Sequence, residues 1–242
     1  MFALTIDRRD SRGRAAELHM GRQRTALQEE LPRPVLDWEI SAGDELQALY
    51  DDAAAIVRAV LALADAGHWH VGVGIGAVDD PLPSSVREAT GEAFVAARDA
   101  VNAAKERGRP VVAGNEWARR AGSVVDLVCA VRARRSEAGA QATELADRGL
   151  TQQEIAEGLG ITQSSVSRRL SAALWHEEHT VHETLEALFR LADEHSPSGH
   201  APDAAAPSAQ DATSSKDAHP LKDVSSPEDV ASSGDTTSGG DA

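Results

Sequence analysis

Residues 152–170 read Gln-Gln-Glu-Ile-Ala-Glu-Gly-Leu-Gly-Ile-Thr-Gln-Ser-Ser-Val-Ser-Arg-Arg-Leu. This run predicts two short helices joined by a tight turn, and each position has a mechanical reason. Thr151 and Glu154 have the spacing of a capping box, in which each side chain satisfies an orphan backbone N–H of the other. Ile155 and Leu159 share one helical face. Ala156 is small where two helices cross at close range. Gly160 suits a left-handed turn residue that side chains with a Cβ resist. Ile161 anchors the turn, Thr162 caps the second helix, and Val166 and Leu170 face inward. Thr162, Gln163, Ser164, Ser165, Ser167, Arg168 and Arg169 are left on or beside the outward face. Short hydroxyls, a glutamine and arginines near a helix N-terminus suit phosphates and base edges.

The spacing resembles the helix-turn-helix of phage repressors, sigma factor region four and MarR-like regulators. That resemblance implies double-stranded DNA as partner, with 162–174 as the recognition helix of a unit at about 151–171. Residues 136–148 are expected to form the supporting first helix. Arg132, Arg134 and Arg135 lie upstream and are expected to add to the basic face. Residues 172–194 are expected to continue as one long helix, with Leu185, Leu188 and Leu191 on one side, and this helix is a candidate dimer arm in a homodimer. His176, His179 and His182 recur every three residues. They drift around a helix, so they read as a polar face before they read as a zinc site.

Charge restricts where a nucleic acid can bind. The 242 residues carry 39 acidic and 24 basic side chains, a formal net charge of −15, which excludes a whole-chain basic footprint. Residues 196–242 hold eight acidic residues, two lysines and no aromatic residue, so they contribute −6 and leave −9 on 1–195. Their Ser, Ala, Pro, Gly and Asp content predicts a disordered acidic tail. One cysteine, Cys129, precludes an intrachain disulfide and reads as a buried thiol in an Ala/Val run. The start of the chain has no long apolar segment of a signal peptide, and the longest apolar runs, near Ala59–Ala64, are too short to span a membrane. A cytoplasmic protein is expected. Arginine outnumbers lysine 21 to 3, a bias in keeping with a GC-rich bacterial source.

Upstream, apolar runs at 2–6, 35–40, 45–50, 69–75 and 110–113 predict strands. Periodic stretches at 13–30 and 52–66 predict helices. Ser85 and Glu88 suggest a capping box for a further helix running to about Arg107, with a break at Gly91. Ser41-Ala42-Gly43-Asp44 has the chemistry of a hairpin turn. The order β-α-β-β-α-β-α-β is the split βαβ signature of a ferredoxin-like domain. The expected fold is therefore α+β: a ferredoxin-like domain at 1–115, an all-α domain with the helix-turn-helix at 116–195, and the tail at 196–242. Gly72, Gly74 and Gly76 lack dinucleotide-binding spacing and read as places of close backbone packing.

The stretches 2–9, 41–47, 71–76 and 91–98, together with the helix-turn-helix, resemble the SatD-like family over roughly residues 1–185. The resemblance implies a bacterial regulator with a C-terminal DNA-binding unit. The N-terminal domain also distantly resembles class III nucleotide cyclases in its order of Asp7, Gly43-Asp44 and the glycine-bearing strand 71–76. This implies that Asp7 and Asp44 are candidate ligands for Mg²⁺ or a metal-bound nucleotide. Arg98 has a counterpart in that family, but Phe94 stands at its asparagine position and the base-selecting lysine is missing. The other reading makes Asp44 a turn residue and Asp7 a strand-end cap. The sequence thus leads to a non-enzymatic, sequence-specific transcriptional regulator. Its rivals are a nucleotide- or metal-binding sensor or enzyme and a protein-binding adaptor.

Overall fold

Alternating apolar residues dictate the strands. In the computed structural model, which describes residues 1–9 and 16–196, β1 (Phe2–Arg8), β2 (Leu36–Ala42), β3 (Glu45–Tyr50), β4 (Trp69–Ile75) and β5 (Val111–Ala113) form one sheet in the order β2-β3-β1-β4-β5. β1 runs antiparallel to both β3 and β4, β2 is antiparallel to β3, and β5 is parallel to β4. The first four strands have the ferredoxin-like order and β5 extends one edge, so the fold is α+β, as expected. The β2–β3 turn is Gly43-Asp44, with Gly43 at φ +58°. The expected helix start at residue 13 lies outside the described residues. So does the expected tail, apart from Ser196.

The two faces of the sheet are covered differently. Phe2, Leu4 and Ile6 share one face with Ala48, Tyr50, Val71, Val73 and Ile75. They pack with Met20 and Leu27 of α1 (Ala16–Glu30) and with the apolar stripe of α2 (Ala53–Ala66). The same core takes Ala118, Ala121, Val125 and Val128 from α4 (Glu116–Arg132), and Leu185, Phe189 and Ala192 from α8 (Trp175–Glu194). Asn115, at the expected domain boundary, caps α4 through Ala118 N–H and donates Nδ2 to the Ala192 carbonyl at 2.7 Å. The core therefore runs on past residue 115.

α3 (Glu92–Arg107) covers the other face, where its backbone comes very close to β4. A Cβ on Gly72 would lie 2.2 Å from the Val101 nitrogen, and one on Gly74 would lie 2.0 Å from the Ala93 carbonyl oxygen. No helix opens at Ser85. The Ser85 hydroxyl donates to Glu39 at 2.7 Å and accepts from Arg87 N–H at 3.3 Å, and the chain makes only a turn over 86–88. Gly91 at φ 130° then precedes the real start of α3 at Glu92. The Ser85–Glu88 pair opens only a turn, and the chain is interrupted at Gly91, in a conformation side chains with a Cβ resist, before α3 begins.

α8 also departs from expectation. The chain does not run straight through residue 172: Leu174 adopts a left-handed φ of 55° and separates α8 from the preceding helix. Leu185 is buried, and Leu188 packs on the α2–α4 core. The face read as a dimer arm is thus used within the chain.

Candidate nucleic-acid interface

Three helices form the unit. They are α5 (Glu137–Asp147), α6 (Gln152–Leu159) and α7 (Gln163–Ala172). Their core is small: Ala142, Ile155, Ala156, Val166 and Leu170, bordered by Leu145, Leu159, Ile161 and Trp175. With so few apolar atoms to bury, local hydrogen bonding carries much of the definition. Thr151 Oγ1 accepts from Glu154 N–H at 3.3 Å, while the Glu154 carboxylate accepts from Thr151 N–H at 2.8 Å, which completes the capping box. The Thr151 backbone N–H and, at 2.8 Å, the Thr151 hydroxyl both donate to this carboxylate and hold the Glu154 carboxyl below its usual range. Gly160 closes α6 at φ +64°. Thr162 caps α7, accepting from Ser165 N–H at 3.2 Å. Ser136 does the same for α5 through Gly139 N–H at 3.1 Å.

Burying Val166 and Leu170 fixes which side of α7 points outward. Thr162, Gln163, Ser164, Ser167 and Arg168 are exposed, whereas Ser165 and Arg169 are half-buried. The Ser164 and Ser165 hydroxyls lie 3.0 and 2.8 Å from Thr162 Oγ1, and Arg168 Nε donates to the Ser164 carbonyl at 3.3 Å. The exposed set therefore combines hydroxyls, an amide and a guanidinium along the first two turns of one helix, where the unpaired N–H groups and the helix dipole favour anions.

The upstream arginines do not all join this face. Arg134 is exposed. Arg132 and Arg135 are 13% and 8% exposed and turn inward onto Glu178 of α8. Arg132 donates to Glu178 Oε1 through Nε at 2.8 Å and Nη2 at 2.5 Å, and to Asp65 through Nη1 at 2.5 Å. Arg135 pairs with Glu178 Oε2 and donates Nε to the Ala173 carbonyl at 3.0 Å. A buried carboxylate needs such partners, and the sequence reading missed it. One signal was available: Glu178 falls on the stripe of α8 that also carries Leu185, Phe189 and Ala192. Burial pushes the Glu178 pKa up, but hydrogen bonds from His182 and Arg132 and the charges of Arg132 and Arg135 outweigh it and bring it to about 2. Trp175 was also missed. It donates Nε1 to Asp147 at 2.6 Å and stacks on His179 with ring centroids 5.2 Å apart.

The sheet brings the candidate carboxylates to one end: Asp7 pairs in register with Glu45, the residue after Asp44. Asp7 is 13% exposed and bound by Lys105 Nζ at 2.6 Å. Glu45 is held by Arg98 at 2.8 Å and Ser41 at 2.6 Å. No group of three or more His, Cys, Asp or Glu side chains is arranged to hold a metal among the described residues. Burial raises the Cys129 thiol to about 11, so it stays protonated at neutral pH.

The family described as Sigma-70, region 4 matches residues 131–176, a span that takes in α5, α6, α7 and both inward arginines. This chain thus carries a helix-turn-helix DNA-binding region. No curated protein and no solved structure matches it. Among the described residues no helix is long and apolar enough to cross a membrane.

Proposed function

We propose that the protein is a sequence-specific transcriptional regulator that reads the DNA major groove with α7. The observation that carries this reading is the split of one helix into a buried pair, Val166 and Leu170, and an exposed set of Thr162, Gln163, Ser164, Ser167 and Arg168. Gln163 and Arg168 have the donor and acceptor geometry for base edges, and the hydroxyls and Arg134 serve phosphates. In this reading the α/β body performs no chemistry. Lys105 pairs with Asp7, and Arg98 with Glu45 beside Asp44, at the end of the sheet where a metal-bound nucleotide would sit.

Selection of bound sites from random duplex DNA tests the proposal. An enriched site is the expected result, and a palindromic one would place two copies on the DNA. Arg168→Ala should cost about 1–3 kcal/mol on that site and relax preference at one position. No enrichment at low salt would defeat the reading, and unchanged affinity in Arg168→Ala at every salt concentration would defeat the role given to α7.

A further inference from the structure

The α5–α7 unit meets the α/β body through very little. An open cleft lies between them. One part, about 880 Å³, is lined by Leu27, Glu30, Leu63 and Trp69 of the body and Glu144 and Asp147 of α5. A second part, about 610 Å³, lies among Asp65, Cys129, Arg132, Ala140 and Thr143. What joins the two sides is the place where α4 ends and α8 begins. There one carboxylate, Glu178, 7% exposed, gathers Arg132 from α4, Arg135 from the α4–α5 link and His182 from its own helix at 2.9 Å. Arg132 reaches on to Asp65 of α2, and Arg135 reaches on to the Ala173 carbonyl at the end of α7. A continuous path of charged hydrogen bonds thus runs from the body to the recognition helix.

We propose that Glu178 is a positioning residue for DNA binding, setting the angle at which α7 is presented relative to the α/β body. This rests on the reading of α7 as the recognition helix. The guanidinium fork is planar and directional, so two of them on one carboxylate restrain orientation as well as distance. A buried ion cluster is a poor source of net stability, whereas its geometric selectivity is well suited to an elbow between two bodies. The angle matters because residues 1–195 carry −9. A fixed elbow holds the acidic body in one place relative to the phosphates, and a loose one lets it swing against them.

The test uses the full chain with Cys129→Ala and spin labels on Arg58→Cys of α2 and Ser171→Cys of α7, both exposed positions. Electron–electron distance measurements should give one narrow distribution with Glu178 present, and a broad one in Glu178→Gln. Arg135→Lys keeps the charge but replaces the planar fork that reaches Glu178 and Ala173 from separate nitrogens with a single, non-directional ammonium, so it should broaden the distribution to an intermediate degree. In parallel, Glu178→Gln should bind a long duplex that passes the body about tenfold more weakly. It should match wild type on a short duplex that covers α7 alone. A distribution that stays narrow in both variants overturns the elbow, and so does an equal loss on both duplexes, which would report simple unfolding. If wild type binds no duplex, the function proposed above fails, while the distance measurement still decides the elbow.

Discussion

The α/β body and the α5–α7 unit solve the same problem with different means. The body buries Phe2, Trp38, Tyr50 and Phe189 in a core drawn from five strands and four helices, and its contacts join residues far apart in the chain. The α5–α7 unit buries five small or medium apolar side chains and closes each helix start with a hydroxyl cap. A core of that size supplies little stabilisation by burial alone, so turn and cap chemistry must define the shape. The difference also says where function sits. On its α3 side the body pairs buried polar groups, Gln47 with Thr5 and Glu45 with Arg98, whereas the small unit leaves its polar set facing outward.

Four changes would break or sharpen that comparison. The largest effect is expected from Val166→Asp, which buries an unpaired carboxylate in the small core at a cost on the order of 4 kcal/mol. Hydrogen exchange should then rise throughout 137–173 while β1, β3 and β4 stay protected. Equal loss of protection in the sheet would show that the two regions unfold as one. Next comes Gly74→Ala, whose Cβ would fall 2.0 Å from the Ala93 carbonyl oxygen. Forcing α3 off the sheet should cost about 3 kcal/mol, read as a lowered melting temperature. A negligible change would mean that α3 can shift without penalty.

This contrast also governs what the sequence made legible. Thr151, Glu154, Gly160 and Thr162 act within a turn of themselves, so spacing alone located α6, α7 and the outward set on α7. Strand order followed from the hairpin at Gly43-Asp44 and the alternation of β and α runs. Arg132 and Arg135 were misread as part of a basic face because their partner, Glu178, lies 46 and 43 residues away. Charge composition cannot show such a pairing. For the same reason the apolar stripe of α8 looked like a dimer arm, since a helix's own periodicity does not reveal what covers it.

Acid should weaken the junction between the two regions. The Glu178 pKa in the folded chain is about 2, below its ordinary 4.5. A depressed carboxyl stabilises the fold above its unfolded value and loses that contribution as pH falls through the folded one. The stabilisation should therefore be intact above about pH 5 and fade between about 4.5 and 2. Glu178→Gln should flatten this part of a plot of stability against pH. A variant with the same slope as wild type would place the acid sensitivity elsewhere.

The smallest effect is expected from Thr151→Ala. The change removes the acceptor for Glu154 N–H at the start of α6, and the loss of such a cap costs about 1 kcal/mol. Because the bond is local and exposed, nothing in the body should respond. Exchange at residues 152–154 should quicken several-fold while the body keeps its protection. DNA affinity should hold within about twofold, since α7 keeps its own cap at Thr162 and its buried pair. If instead Thr151→Ala disturbed DNA binding as strongly as Arg168→Ala, the orientation of α7 would depend on the α6 cap, and the division between a supporting helix and a reading helix would have to be redrawn.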